Sequence, residues 1–256
     1  MSDITPRWTG RNSDKDVLRR SVWSALESTG AAVGDAWYRI PDFLGAAAAA
    51  SQLVLAPGWQ DARVVKCNPD AAQAPLRLAA LRAGKRVYTP VPELVADHPY
   101  LCLDPEDLAA RGVDLADVAF SDGACRLGRR CTFAEVEPID FFVVGCVAVT
   151  AAGGRTGKGA GFADLELGIF NHYGLVGSTT PLATTVHDLQ VVPDCEVVME
   201  AHDAPLDLIA TPTRLIATAT TLPRPGPIDW RHIRPDQFAA IPFLSDLKAA
   251  LTGSTG

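Results

Sequence analysis

The chain is short of positive charge, of aromatic rings and of long apolar runs, and each shortage excludes a class of function. Lys and Arg total 23 against 30 Asp and Glu, a net charge of −7. Affinity for nucleic-acid backbones and anionic membranes is driven by clustered Lys and Arg, so a general binder of either is excluded and any phosphate contact must be local. Aromatic residues make up only 7% and show no RNP-like pattern, which argues against a platform for single-stranded RNA. The longest apolar stretch, 43–59, is largely alanine and is broken by Ser51, Gln52, Pro57 and Gly58, whereas a bilayer span needs about 20 consecutive apolar residues. Residues 1–16 carry charge throughout and lack the apolar centre of a secretory signal. The six cysteines (Cys67, Cys102, Cys125, Cys131, Cys146 and Cys195) contain no CxxC pair and no zinc-type His spacing. They read as reduced, mostly buried thiols, so a cytoplasmic protein with no membrane partner is expected.

Signatures of common catalytic machinery are also missing. There is no GxSxG elbow, no HExxH helix and no local signature of a nucleophilic cysteine. Glu135 and Glu137 lie on a polar, strand-like stretch and read as solvated rather than as an acid–base pair.

What is present is a chain of 256 residues, 48% of them hydrophobic, enough for a buried core. Short β-branched runs alternate with amphipathic stretches. Strands are expected over 62–67, 86–89, 140–149, 175–177, 183–187 and 206–210, and helices over 14–28, 45–55, 71–82, 162–172 and 234–251. The uninterrupted run Phe141-Phe142-Val143-Val144 is the mark of a strand buried on both faces. The fold class is therefore α/β, a three-layer sandwich with a mainly parallel sheet, formed as one domain over 1–256. The stretch 222–234, with three prolines, reads as a crossing loop before the last helix, and 252–256 as a frayed tail.

The most informative segment runs from Gly153 to Asp164. Glycines at 157, 159 and 161 remove the Cβ atoms, so successive N–H groups can close around an anion in front of the next helix's positive end. Arg155 and Lys158 add charge there, and Asp164 in the first helical turn is placed to hold a magnesium ion against phosphate oxygens. Both standard nucleotide patterns fail nonetheless: the Walker spacing needs Gly at Ala152 and Ser or Thr at Gly159, and the dinucleotide fingerprint needs Gly at Phe162. By spacing alone a flexible strand-to-helix turn remains an alternative.

Two further features stand out. Ser13 is placed to cap the first helix with Asp16 three residues on, and Lys15 and Arg19 fall on the inward stripe formed by Leu18, Val22 and Leu26. Either both cations reach a buried anion or they snorkel to water from the helix end. The dipeptides His187-Asp188 and His202-Asp203 flank expected strand ends. They suit turns better than a metal-dependent phosphohydrolase, which needs further histidines on helices.

Taken in order, Lys15 and Arg19, then Gly84-Lys85-Arg86-Val87-Tyr88-Thr89-Pro90, then Arg155 to Asp164, then His202 to Pro212 resemble the 5-formyltetrahydrofolate cyclo-ligase family over about 14–220. The most specific element is R-x-G-x-G-x-G-[YF]-x-D at 155–164. The resemblance implies a NagB/RpiA/CoA-transferase-like fold and chemistry dependent on ATP and Mg2+, with a folate or related small molecule as substrate. It implies ATP-binding roles for Lys15, Arg19, Arg155, Gly157, Lys158, Gly159, Gly161 and Phe162, catalytic charge from Lys158 and Arg155, and magnesium at Asp164. The implied reaction phosphorylates the formyl oxygen of 5-formyltetrahydrofolate, N10 attacks the activated carbon, and phosphate leaves with 5,10-methenyltetrahydrofolate. Ala163 stands where the family has a second aromatic, and Asn68 to Gln73 replace its acidic substrate segment. Those departures resemble the branch of methenyltetrahydrofolate synthetase domain-containing proteins and leave open a silent nucleotide- or phospho-metabolite-binding protein. No RNA-recognition domain is expected after the last helix.

Overall fold

The first helix starts where its cap dictates. In the computed structural model, which describes residues 12–94 and 98–253, Asn12 Oδ1 accepts from the N–H groups of Asp14 and Lys15, both at 3.0 Å. Asn12, not Ser13, is therefore the cap of α1 (Ser13–Ser28). The chain continues through α2 (Ala46–Leu53), β1 (Val64–Cys67), α3 (Ala74–Arg82) and β2 (Arg86–Pro90) to β3 (Tyr100–Leu103). Three short helices follow, α4 (Pro105–Ala110), α5 (Leu115–Val118) and α6 (Ser121–Leu127), and then β4 (Arg129–Cys131) and β5 (Phe141–Val143). The second half contains β6 (Ala148–Thr150), β7 (Arg155–Thr156), α7 (Phe162–His172), β8 (Leu182–Thr185), β9 (Val191–Val192), β10 (Leu208–Ala210), β11 (Leu215–Ala217), α8 (Pro235–Ala240) and α9 (Phe243–Gly253). Of the start read as leaderless, residues 1–11 lie outside the described residues; of the tail read as frayed, 252–253 belong to α9 and 254–256 lie outside them.

An eight-stranded sheet runs in the order β11-β10-β8-β5-β1-β2-β3-β4. Its five inner strands, β10 to β2 in that order, are parallel, while β11, β3 and β4 join antiparallel. Alternate side chains go to opposite faces. Phe141 and Val143 pack with Leu53, Leu76 and Ala80 on one side, and Phe142 and Val144 with Ile169, Phe170 and Leu244 on the other. The expected three-layer α/β sandwich with a mainly parallel sheet is observed, with β5 among its central strands.

The single strand expected over 140–149 is two. After Val143 the chain leaves the large sheet and enters a small one, β7-β6-β9, against whose Val147 and Ala148 the stripe Leu18, Val22 and Leu26 of α1 packs. The fully buried Gln190 amide donates to the carbonyls of Cys146 and Val147, both at 3.0 Å, in place of a neighbouring strand. An apolar run buried on every side conceals such a crossing. The glycine segment accordingly follows β7, not β5. Residues 175–177 form no strand: Leu175 N–H returns to Phe170 O at 2.9 Å behind left-handed Gly174, which closes α7. The last helix is broken into α8 and α9 at Pro242, whose ring and missing N–H stop a helix.

Ile241, Leu244 and Leu247 belong to the same core as Phe142 and Phe170, so the C-terminal helices are part of the sandwich. Ile241, fully buried, tests this. Ile241→Val is expected to cost about 0.5–1.5 kcal/mol in urea unfolding; an unchanged midpoint would place this segment outside the cooperative core.

Candidate functional site

A cleft of about 320 Å³ opens where β7 turns into α7, lined by all nine residues singled out from the sequence: Lys15, Arg19, Arg155, Gly157, Lys158, Gly159, Gly161, Phe162 and Asp164. Gly159 and Gly161 have φ of 101° and 73°, conformations that L side chains rarely adopt, and Gly161 is the left-handed cap from which α7 begins. Gly157 has no such constraint, and a Cβ added to it would meet nothing within 4 Å.

The cations divide by what they already hold. Arg19, 4% exposed, donates from Nε to Gly157 O at 2.6 Å, from Nη2 to Thr156 Oγ1 at 3.0 Å and from Nη1 to Asp16 at 2.6 Å. It therefore grips the glycine loop directly, across the 138 residues that separate it from Gly157. Lys15 takes a different course: its ammonium pairs with Asp203 and, at 3.0 Å, with Glu200. Of the two alternatives, snorkelling to water is therefore excluded: both cations are buried and each meets a carboxylate of the protein. Arg155 is buried, donating from Nε to Ala204 O at 2.7 Å and pairing through Nη2 with Asp164 Oδ1. Lys158 is half-buried and makes no hydrogen bond or ion pair among the described residues.

Asp164 Oδ1 also accepts from Ala204 N–H at 3.0 Å, while Oδ2 has no protein partner among the described residues. A hard oxygen beside an anion-sized loop fits magnesium, which takes one or two carboxylates and completes its shell with phosphate and water. Glu200, His202 and Asp203 bring three potential ligand atoms within 4.8 Å, but Lys15 Nζ already pairs with both carboxylates. Burial by itself raises the Glu200 carboxyl, yet the hydrogen bond and charge of Lys15 outweigh this and hold it below the usual range. A lowered carboxyl contributes stability that is present above its unfolded value of about 4.3 and is lost as pH falls through the folded value. Glu200→Gln should therefore be less stable than the parent at about pH 7 and equal to it at about pH 2 by urea midpoint; a gap of the same size at both would refute the pairing. His187 and Asp188 serve a turn, as expected: His187 Nδ1 accepts from Leu189 N–H at 3.1 Å, and Asp188 from the Thr211 and Thr213 hydroxyls at 2.7 and 2.6 Å.

The floor contains groups that motif reading passed over. Lys66 on β1 and Glu166 on α7 are 0% and 1% exposed, with Nζ 3.0 Å from Oε2. Tyr100 donates to Oε1 of Glu166, and Lys66 also donates to Asn68. Asn68, Asp70 and Glu166 line the cleft. Burial pushes the Asp70 carboxyl up, against the charges of Lys158, Arg77 and Lys66. The loop carrying Asn68 and Asp70 is held by buried Arg77, which donates to the backbone oxygens of Asn68, Pro69 (3.1 Å) and Asp70 (3.1 Å). The signal for Lys66 and Glu166 was available: each is a charge at an inward position of an otherwise apolar element.

The family model described as the 5-formyltetrahydrofolate cyclo-ligase family matches residues 11–212. The methenyltetrahydrofolate synthase domain-containing protein of Mus musculus is 35% identical over 242 residues, 94% of this chain and 64% of the relative. That of Homo sapiens is 34% identical over 248 residues, 96% and 64%. The chain thus spans less than two thirds of the length of these relatives. The NMR structure of Aquifex aeolicus 5,10-methenyltetrahydrofolate synthetase superposes with a TM-score of 0.51 at 18% identity, covering 86% of this chain and 99% of that one, a likeness of fold.

Proposed function

This chain belongs to the 5-formyltetrahydrofolate cyclo-ligase family, and on that premise we propose that it binds magnesium-bound ATP on the glycine loop and transfers a phosphoryl group to a formylated folate or a close chemical relative. The observation that carries the reading is the convergence of Arg155, Lys158, the 157–161 loop and Asp164 on one cleft. Lys158, uncommitted among the described residues, is the cation available to the transferring phosphoryl group. Arg155 is spent on Asp164 and Ala204 and so acts by holding that carboxylate in place. Asp164 would hold magnesium through Oδ2, where the ion supplies charge neutralisation to phosphate oxygens. No protein nucleophile is needed, because the protein's work is positioning and electrostatics.

A silent nucleotide-binding protein is favoured by one observation: departures from the family pattern, Ala163, Asn68 and Asp70 among them, line the cleft itself. The two readings separate in one experiment. Purified protein is incubated with Mg-ATP, with and without 5-formyltetrahydrofolate, while methenyl-product absorbance and ADP are followed. Folate-dependent ADP release with a rising absorbance is expected. ATP binding without turnover selects the silent reading, and no ATP binding at millimolar concentration ends the nucleotide reading.

No described helix is long and apolar enough to cross a membrane. The proposal keeps a small molecule as partner, without nucleic acid or membrane, and a cytoplasmic location.

A further inference from the structure

The family model ends at residue 212, yet the cleft does not. Residues 225–237 form the far wall of a second cavity of about 310 Å³ behind Gly161 and Asp164, and Arg234 and His232 line both spaces. The carbonyl of Ala160, inside the glycine loop, accepts from two side chains of this segment: Arg234 Nη2 at 2.9 Å and Gln237 Nε2 at 2.8 Å. Gln237 is 4% exposed, and its Oε1 accepts from Arg234 N–H at 3.0 Å. Both ends of the amide are therefore used, and together they tie the C-terminal segment to the peptide that precedes left-handed Gly161. A Cβ on Gly161 would lie 3.1 Å from Gln237 Nε2 and 3.6 Å from Arg234 Nη1, so both groups sit directly over that glycine.

Arg234 is not spent by these contacts. Nη2 goes to Ala160 and Nε to Asp236 at 3.2 Å, which leaves Nη1 without a hydrogen bond among the described residues. A guanidinium is a planar fork suited to phosphate oxygens. Lys15, Arg19 and Arg155 each meet a carboxylate at 3.0 Å or less, whereas the Asp236 contact occupies only the Nε edge of Arg234.

We propose that Arg234 is a ligand-contacting residue, donating from Nη1 to an anionic phosphate oxygen on the glycine loop, and that Gln237 is a positioning residue that holds the Ala160 peptide in the shape the anion requires. The phosphate identity rests on the nucleotide reading above; the Gln237 clamp does not. On this view a segment outside the span that identifies the family completes its anion site.

Calorimetry of the full chain with ATP, inorganic tripolyphosphate and adenosine, and hydrogen exchange of residues 157–161, test the two halves separately. Arg234→Ala should weaken ATP and tripolyphosphate about tenfold, the loss of one charge-assisted hydrogen bond, and leave adenosine unchanged, with Arg234→Lys recovering part of the loss. Gln237→Leu should speed exchange across the loop by up to about tenfold while near-UV circular dichroism shows an intact core. If the parent binds and Arg234→Ala binds equally well, the contact is wrong and the nucleotide reading survives. If the parent binds neither ATP nor tripolyphosphate, the nucleotide reading fails and takes the Arg234 contact with it. In either case unchanged loop exchange in a folded Gln237→Leu overturns the clamp, and faster exchange supports it.

Discussion

Glu166→Ala is expected to lower the unfolding free energy by about 3–5 kcal/mol, the cost of leaving one member of a buried ion pair without its partner. Lys66 and Glu166 are 0% and 1% exposed and 3.0 Å apart. Without the carboxylate, the ammonium would keep, among the described residues, Asn68 Oδ1, the face of Phe142, 4.4 Å from the ring centroid, and the more distant charge of Asp70. Tyr100 would lose the acceptor of its hydroxyl. That phenol is held well above its usual range in the intact protein, first by burial and then by the Glu166 charge. Chemical denaturation measures the loss. The double variant Lys66→Met with Glu166→Leu should recover most of it, since apolar replacements remove both desolvation costs. A single variant within about 1 kcal/mol of the parent would contradict the burial argument. Asn68 and Glu166 both line the cleft, so the single variant should also disturb ligand binding while the double separates fold from site.

Lys158→Ala is expected to do the reverse, weakening ATP roughly tenfold to a hundredfold, about 1.5–3 kcal/mol for a charge-assisted hydrogen bond, with a much smaller change in unfolding. The reason is that Lys158 makes no hydrogen bond or ion pair among the described residues and touches the fold through its charge on buried Asp70. Titration calorimetry reads the affinity and a urea curve reads the stability. Equal ATP affinity in parent and variant would remove Lys158 from the phosphate site. Asp164→Ala is a poorer probe of magnesium than the sequence implied, because it also strips buried Arg155 of its carboxylate. Asp164→Asn keeps a side-chain oxygen that can accept from Arg155 and Ala204 N–H. It should weaken the magnesium dependence of ATP binding at a smaller structural cost.

Some of this was legible without coordinates. Helix 162–172 was placed to the residue, because an apolar stripe and a glycine run bound it on one side and a left-handed glycine on the other. Lys15 and Arg19 announced themselves as charges on an inward stripe, though their anions did not: Asp203 and Glu200 lie 188 and 185 residues from Lys15. The stretch between β2 and β5 gave only the strand-like reading at Glu135 and Glu137, where a 3-10 turn at Phe133–Glu135 stands instead, because its strands and helices are short and two of its strands pair antiparallel at the sheet edge.

By itself the sequence determined what is local or periodic: the alternation that makes an α/β sandwich, the glycines that permit left-handed turns at 159 and 161, and the residue types around the loop. Only the tertiary structure decided where the 140–149 run divides, that Arg155 is committed to Asp164 while Lys158 is not, that Lys66 meets Glu166, and that Arg234 and Gln237 close on Ala160 from 74 and 77 residues away. The physical reason is that backbone propensity and hydrophobic period act over a few residues, whereas a buried charge or amide is settled by whichever partner the packed chain brings within hydrogen-bond reach.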